Sequence, residues 1–292
     1  MEEYRKDKER VAAAFDRAAR GYEEIAEFQR IVAERLLERL DYMKLAPGPI
    51  LDLGAGTGRA ARALRRRYPR AMIVEADLAL GMLQPKHAFA RWFARRRAVC
   101  ADAEGLPFAP GSFDLIFSSL MLQWCNDPAA VFTELCRALR PGGLLIFSTL
   151  GPDTLRELRE SWAAADDDVH VNIFIDMHDL GDALVRAGLG EPVMEAERFT
   201  LTYADGRALM RDLKSLGARN ANAGRRRTLT GKGRVRDMLQ AYEQHRRDGR
   251  LPTTYEVVYG HAWRAETDPR HGPGVATVPI SAIGRRGGRG AG

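Results

Sequence analysis

The chain has 292 residues, 45% of them hydrophobic, which is enough to bury a full core and excludes a disordered chain. Three scattered cysteines (Cys100, Cys125 and Cys136) form neither a disulfide framework nor a zinc set, as expected of a reducing compartment. The net charge of +6 is uneven: residues 211–250 hold twelve Lys or Arg against four Asp or Glu, leaving the remainder slightly negative.

The N-terminus is charged and lacks an apolar signal core, and no long apolar run occurs, so a cytoplasmic protein outside the membrane is expected. Residues 11–41 read as two amphipathic helices broken near Gly21. A βα alternation starts at Ile50: strand 50–53, helix 59–68, strand 71–76, helix 82–94 interrupted by Pro85, then strand 98–101. Strand 113–118, helix 129–139 and strand 144–149 follow, the last after the turn Arg140-Pro141-Gly142-Gly143. Two helices, 152–164 and 177–187, lead to two late strands, 193–203 and 254–263. Between these strands lies the basic segment, with helices at 205–216 and 234–246. The tail is rich in Gly, Pro and Arg and has one short apolar stretch at 275–280. This order predicts an α/β, Rossmann-like doubly wound sheet. Its expected parts are an N-terminal helical cap (1–45), a core (46–204), a basic helical lid insertion (205–253), a final core strand (254–264) and a mobile tail (265–292).

The first strand delivers Asp52-Leu53-Gly54-Ala55-Gly56-Thr57-Gly58 into a helix. Glycines there let the backbone approach a ligand, and the helix amides favour an anionic group. Asp77 follows at the end of the second strand, about 20 residues on, where an acid can accept from ribose hydroxyls. Glu75 shares its face if the strand persists. Asp102 closes the third strand before Ala103, where a carboxylate can accept from an adenine amino group. Ser118 ends the fourth. Any one of these acids alone would pass as a turn or capping carboxylate.

Together the set resembles the class I methyltransferases, whose loop is GxGxG-like where the dinucleotide loop is GxGxxG. Asp77-Leu78-Ala79-Leu80-Gly81-Met82-Leu83 is similar to that family's D-L-S-x-x-M-L, with Ala79 in place of Ser. The resemblance implies S-adenosylmethionine as cofactor, held by Asp52, Gly54, Ala55, Gly56, Gly58, Asp77, Met82, Asp102, Ala103 and Ser118. No metal is implied.

Further stretches narrow the likeness. They include Leu122-Gln123-Trp124-Cys125-Asn126-Asp127, Gly151-Pro152-Asp153-Thr154-Leu155, Asp176-Met177-His178-Asp179-Leu180-Gly181, Asp212-Leu213-Lys214-Ser215-Leu216-Gly217 and Thr254-Tyr255-Glu256-Val257-Val258-Tyr259-Gly260. Over residues 11–263 the chain resembles the malonyl-acyl carrier protein O-methyltransferases of biotin synthesis. That resemblance implies methyl transfer to the free carboxylate of a malonyl thioester on acyl carrier protein or coenzyme A. The nucleophile is ionised at neutral pH, so positioning and water exclusion carry the reaction and no general base is required.

Candidate positioning residues are Tyr22, Gln123, Arg211 and Lys214; Arg211 and Lys214, with Arg219, suit either the malonyl carboxylate or the phosphopantetheine phosphate. Tyr22 lies seven residues before Gln29, hence on one face of a helix, and reads equally as core packing; for Trp124, after the fourth strand, core packing leads over lining the methyl-transfer chamber. His178 is either a helix cap or a substrate ligand. Arg225, Arg226 and Arg227 suit an acidic carrier surface. Two other readings remain: a methyltransferase of the same fold acting on another small molecule, such as a quinone precursor, and an RNA-binding protein. Tyr242 is the only aromatic in residues 211–250, which speaks against a nucleic-acid partner.

Overall fold

The computed structural model describes residues 5–84, 96–218, 222 and 231–266. A seven-stranded sheet in the order β3-β2-β1-β4-β5-β7-β6 forms its centre. The strands are β1 (Pro49–Leu53), β2 (Met72–Asp77), β3 (Arg97–Cys100), β4 (Phe113–Ser119), β5 (Leu139–Leu150), β6 (Leu189–Tyr203) and β7 (Leu251–Arg264). β7 runs antiparallel to both β5 and β6, and the β3-β2-β1-β4-β5 run is parallel. The sheet is the Rossmann-like arrangement of class I methyltransferases, with helices on both faces.

Strand alternation divides the core in two. Ile50, Ile73, Leu115, Ile146 and Val257 join one cluster, and their neighbours Leu51, Val74, Ile116, Leu145 and Val258 join the other. Both faces are therefore apolar, which explains why the strands read as nearly continuous hydrophobic runs. The order reverses at β1 and β4, so the ends of these strands open a crevice at the switch point.

Several boundaries differ from expectation. The turn Arg140–Gly143 lies inside β5, because Phe113 pairs with Leu139 and Leu115 already pairs with Leu144; the four residues bulge out between those pairs. A second bulge, between Gly190 and Val193, lets β6 start at Leu189. The helix expected from residue 152 starts at Arg156, after Leu155 adopts a left-handed φ of 57°. The N-terminal region forms three helices, Lys8–Ala18, Tyr22–Ile25 and Glu27–Arg39, with an added break at Ala26. Tyr22 and Gln29 therefore lie on different helices and do not share one helical face.

The late strands form a hairpin whose tip holds the insertion, with Tyr203 pairing with Leu251. Its helices are Gly206–Ser215, capped by Asp205, whose side chain accepts from the Ala208 amide at 2.8 Å, and Lys232–Glu243. The second is tied down by Tyr242, whose hydroxyl donates to the Pro252 carbonyl at 2.9 Å. No described helix is long and apolar enough to cross a membrane. The 275–280 stretch and most of the helix expected at 82–94 lie outside the described residues.

Candidate functional site

The loop after β1 turns back onto β2, the Gly54 and Ala55 amides donating to the Ala76 carbonyl at 2.8 and 3.0 Å. Gly56 and Gly58 both adopt positive φ, 53° and 81°, for different reasons. A Cβ on Gly56 would meet nothing within 4 Å, so this position opens on space a ligand can fill. A Cβ on Gly58 would lie 2.6 Å from a Glu75 oxygen and 2.8 Å from Arg96. Gly58 is thus a packing glycine, and it does not line the cavity.

Three acids below the loop have separate environments. Asp77 accepts from the Gly56 amide through one oxygen and from the Ala79 amide through the other, each at 2.8 Å. Burial raises its pKa, and these two N–H groups oppose the rise. Glu75 is fully buried and ion-paired to Arg65 at 2.6 Å and to Arg96. Burial opposes its ionisation, yet Arg96 and Arg65 together hold its carboxyl below the ordinary range. The two acids that shared a strand face are thereby separated: Asp77 lines the cavity and Glu75 is a structural ion pair. Asp52 lines the cavity too, with its Oδ2 buried and without a hydrogen-bond partner. Burial, and then the charge of Glu75, push it up to about 7.

One cavity of about 830 Å³ extends from this loop to the insertion. Gly54, Ala55, Gly56, Met82, Asp102 and Ala103 line it, together with Asp52 and Asp77. Ser118 does not: its hydroxyl donates to the Leu53 carbonyl at 3.0 Å, and the next residue, Ser119, faces the cavity instead. The strand thus delivers a hydroxyl one residue later than expected. Asp102 is held by Lys8, 2.5 Å away, which brings the first helix across the site. Beside Lys8, Phe15 packs edge-on against Trp124 at 5.2 Å and Tyr22 at 6.4 Å.

The comparisons with known proteins agree with this architecture. A methyltransferase-domain family matches residues 51–147, the half of the sheet that carries the loop and the acids. The YcgJ protein from Bacillus subtilis shares the fold at a TM-score of 0.57 and 15% identity, over 80% of this chain and 98% of its own. The malonyl-[acyl-carrier protein] O-methyltransferase of Laribacter hongkongensis is 55% identical over 272 residues, 90% of this chain and 92% of its own. That of Gallionella capsiferriformans is 51% identical, over 90% of this chain and 93% of its own. The chain belongs to the malonyl-[acyl-carrier protein] O-methyltransferase family. It is an O-methyltransferase, and the remaining cavity walls are those of such an enzyme.

In this O-methyltransferase, Tyr22 lines the cavity, and burial, with the nearby Asp77, raises its pKa so that the phenol stays neutral. It packs on Phe15 and faces the cavity. Gln123 is fixed by donating to the Leu120 carbonyl at 2.7 Å and accepting from the Thr149 hydroxyl at 3.3 Å. Leu120 itself has a left-handed φ of 51°, held by its amide donating to the Ser148 carbonyl at 2.9 Å. Arg211 and Lys214 line the cavity from the insertion. His178 is exposed on the first turn of its helix and does not line it. Arg219, Arg225, Arg226 and Arg227 lie outside the described residues.

Several cavity residues escaped the sequence reading. Trp162, His170, Asn172 and Tyr255 come from β7 and from the helix and loop before β6. His170 stacks on Trp162 at 3.7 Å and pairs with Asp166. Asp166, Asp168 and His170 lie close enough to share a cation, but Arg234 already meets both carboxylates at 3.5 and 3.4 Å. No local motif marks Trp162, His170 or Asn172, and Tyr255 stands in a stretch quoted for resemblance without a site role; only the tertiary fold brings the four to the cavity.

Proposed function

We propose that this chain transfers the methyl group of S-adenosylmethionine to the free carboxylate of a malonyl thioester on acyl carrier protein. The product is the malonyl methyl ester used in biotin synthesis, made in the cytoplasm. The observation that carries the reading is the single cavity joining the Gly54–Gly56 loop to the insertion, in a chain of this family. The residues fit the cofactor: Gly56 leaves room, Asp77 still has lone pairs for the ribose, and Asp52 has an oxygen in need of a donor. When bound, the cofactor supplies an electrophilic methyl for in-line displacement by a carboxylate oxygen.

The chain's own residues bind, orient and exclude water. The helices before β1 form the cap, and the insertion's helices Gly206–Ser215 and Lys232–Glu243 form the lid. Phe15, Trp124 and Tyr22 close one wall with rings, which desolvates the reacting atoms. Gln123, pinned at both ends, orients the acyl group. No group has to remove a proton, since the carboxylate arrives ionised.

Incubation with S-adenosylmethionine and malonyl, succinyl and glutaryl thioesters, followed by mass spectrometry, tests the reading. A gain of one methyl on the malonyl thioester is expected. Methylation of a quinone precursor with none of the thioesters would replace this reading with another small-molecule substrate.

A further inference from the structure

The helix Gly206–Ser215 presents Arg207, Met210, Arg211 and Lys214 to the cavity. Their spacing puts them in one stripe along the helix. All four are exposed, so the stripe lies at the rim, whereas Asp52 is buried in the same cavity. Many other arginines of the molecule are spent on carboxylates: Arg35 on Glu197, Arg39 on Glu195, Arg62 on Glu23, Arg198 on Asp153. Among the described residues, Arg207, Arg211 and Lys214 enter no ion pair. The acid on their own helix, Asp212, is engaged elsewhere, accepting from the Tyr203 hydroxyl at 2.7 Å.

Three unspent cations at a cavity rim call for an anion at the rim. A thioester on its prosthetic arm carries two kinds of anion, far apart. The malonyl carboxylate must reach the buried end, beside the glycine loop. The phosphate that joins the pantetheine arm to its carrier stays at the outer end. We propose that Arg207, Arg211 and Lys214 bind this phosphate and leave the malonyl carboxylate to the cavity floor. The inference rests on the thioester reading above and assigns these residues a different task from carboxylate positioning. The guanidinium fork matches phosphate oxygens, and Met210, in the same stripe, offers apolar surface to the arm. A carboxylate left free of a tight guanidinium pair also keeps its nucleophilicity.

Malonyl-pantetheine and malonyl-4′-phosphopantetheine differ only in the phosphate, and so provide the test. In the unaltered enzyme the phosphate should lower KM by roughly tenfold or more. In the variant Arg207→Ala/Arg211→Ala/Lys214→Ala that advantage should shrink to about twofold or less. A melting temperature equal to that of the unaltered enzyme establishes that the variant is folded; if it is not, Arg211→Ala alone is read on the same ratio. A ratio that survives the triple substitution overturns the proposal, as does an equal rise in KM for both substrates, which would return the stripe to the carboxylate. If neither thioester is methylated, the reaction reading fails on its own, and calorimetry with pantetheine and 4′-phosphopantetheine measures the same ratio as Kd.

Discussion

Lys8 and Asp102 form an ion pair at 2.5 Å across 94 positions of sequence, and Glu104 joins it at 2.6 Å. The first helix is thereby anchored to the end of β3, over the cavity. Asp16, on the same helix, accepts from the Gly81 amide at 2.6 Å, a second anchor. Lys8→Met should loosen the helix Lys8–Ala18. Faster amide exchange over that helix and a several-fold weaker cofactor affinity are expected; unchanged exchange would remove Lys8 from this role.

Asp77 combines two tasks, ordering the glycine loop and facing the cavity. Asp77→Ala should weaken S-adenosylmethionine binding by about a hundredfold, since hydrogen bonds to a charged acceptor are among the stronger ones. Calorimetry reads the affinity directly, and wild-type affinity in the variant would overturn the assignment. Glu75→Gln should instead lower the melting temperature, because it leaves Arg65 and Arg96 facing a neutral group.

The two glycines make a paired prediction. Gly58→Ala should cost about 2–3 kcal/mol of stability, from the left-handed φ and the clash with Glu75 together. Gly56→Ala should cost about 1 kcal/mol for its φ alone, yet reduce cofactor affinity by about tenfold or more, because its Cβ enters the cavity. Thermal melts and calorimetry on the two variants separate these effects.

Asp52 should make cofactor binding depend on pH. Its folded-state pKa is raised to about 7, so below that value the empty site holds a proton there. The ammonium of the cofactor's methionine end favours the carboxylate, so binding at lower pH must release the proton. Affinity should therefore climb with pH up to about 7 and then level off. Asp52→Asn should flatten the curve; the same slope in that variant would mean another group titrates.

The buried Glu157 links a helix to the hairpin, accepting from the Thr254 amide at 3.0 Å and from its hydroxyl at 2.5 Å. Glu157→Ala should destabilise the protein by about 2–3 kcal/mol by stranding both donors. Urea melts measure this. A change below about 0.5 kcal/mol would show that water replaces the carboxylate.

The sheet was legible in the sequence because β1, β2 and β4 are short apolar runs in alternation with helices, and the glycine loop was legible because its spacing is local. Sequence alone separates Asp77 from Glu75 only by resemblance. The physical reason emerges only in three dimensions, where Arg65 and Arg96 converge on Glu75. Ser118 was misplaced by one residue, since period-two alternation fixes a face only when the strand's end is known. The bulge at Arg140–Gly143 and the break at Ala26 were hidden because bulges and kinks depend on pairing partners far along the chain. Trp162, His170, Asn172 and Tyr255 reach the cavity through the tertiary fold, and no periodicity announces that.

Residues 204–250 leave the sheet beside Tyr203 and re-enter it beside Leu251, its pairing partner. The segment that covers the outer cavity thus hangs from two adjacent points of one hairpin, and lengthening or shortening it costs little closure entropy. The cofactor's loop and acids belong to the opposite half of the strand order. Changes at the outer rim can therefore accumulate in one stretch of chain without disturbing the register of β1, β2 and β3, so that within this scaffold the mouth of the cavity can evolve separately from its floor.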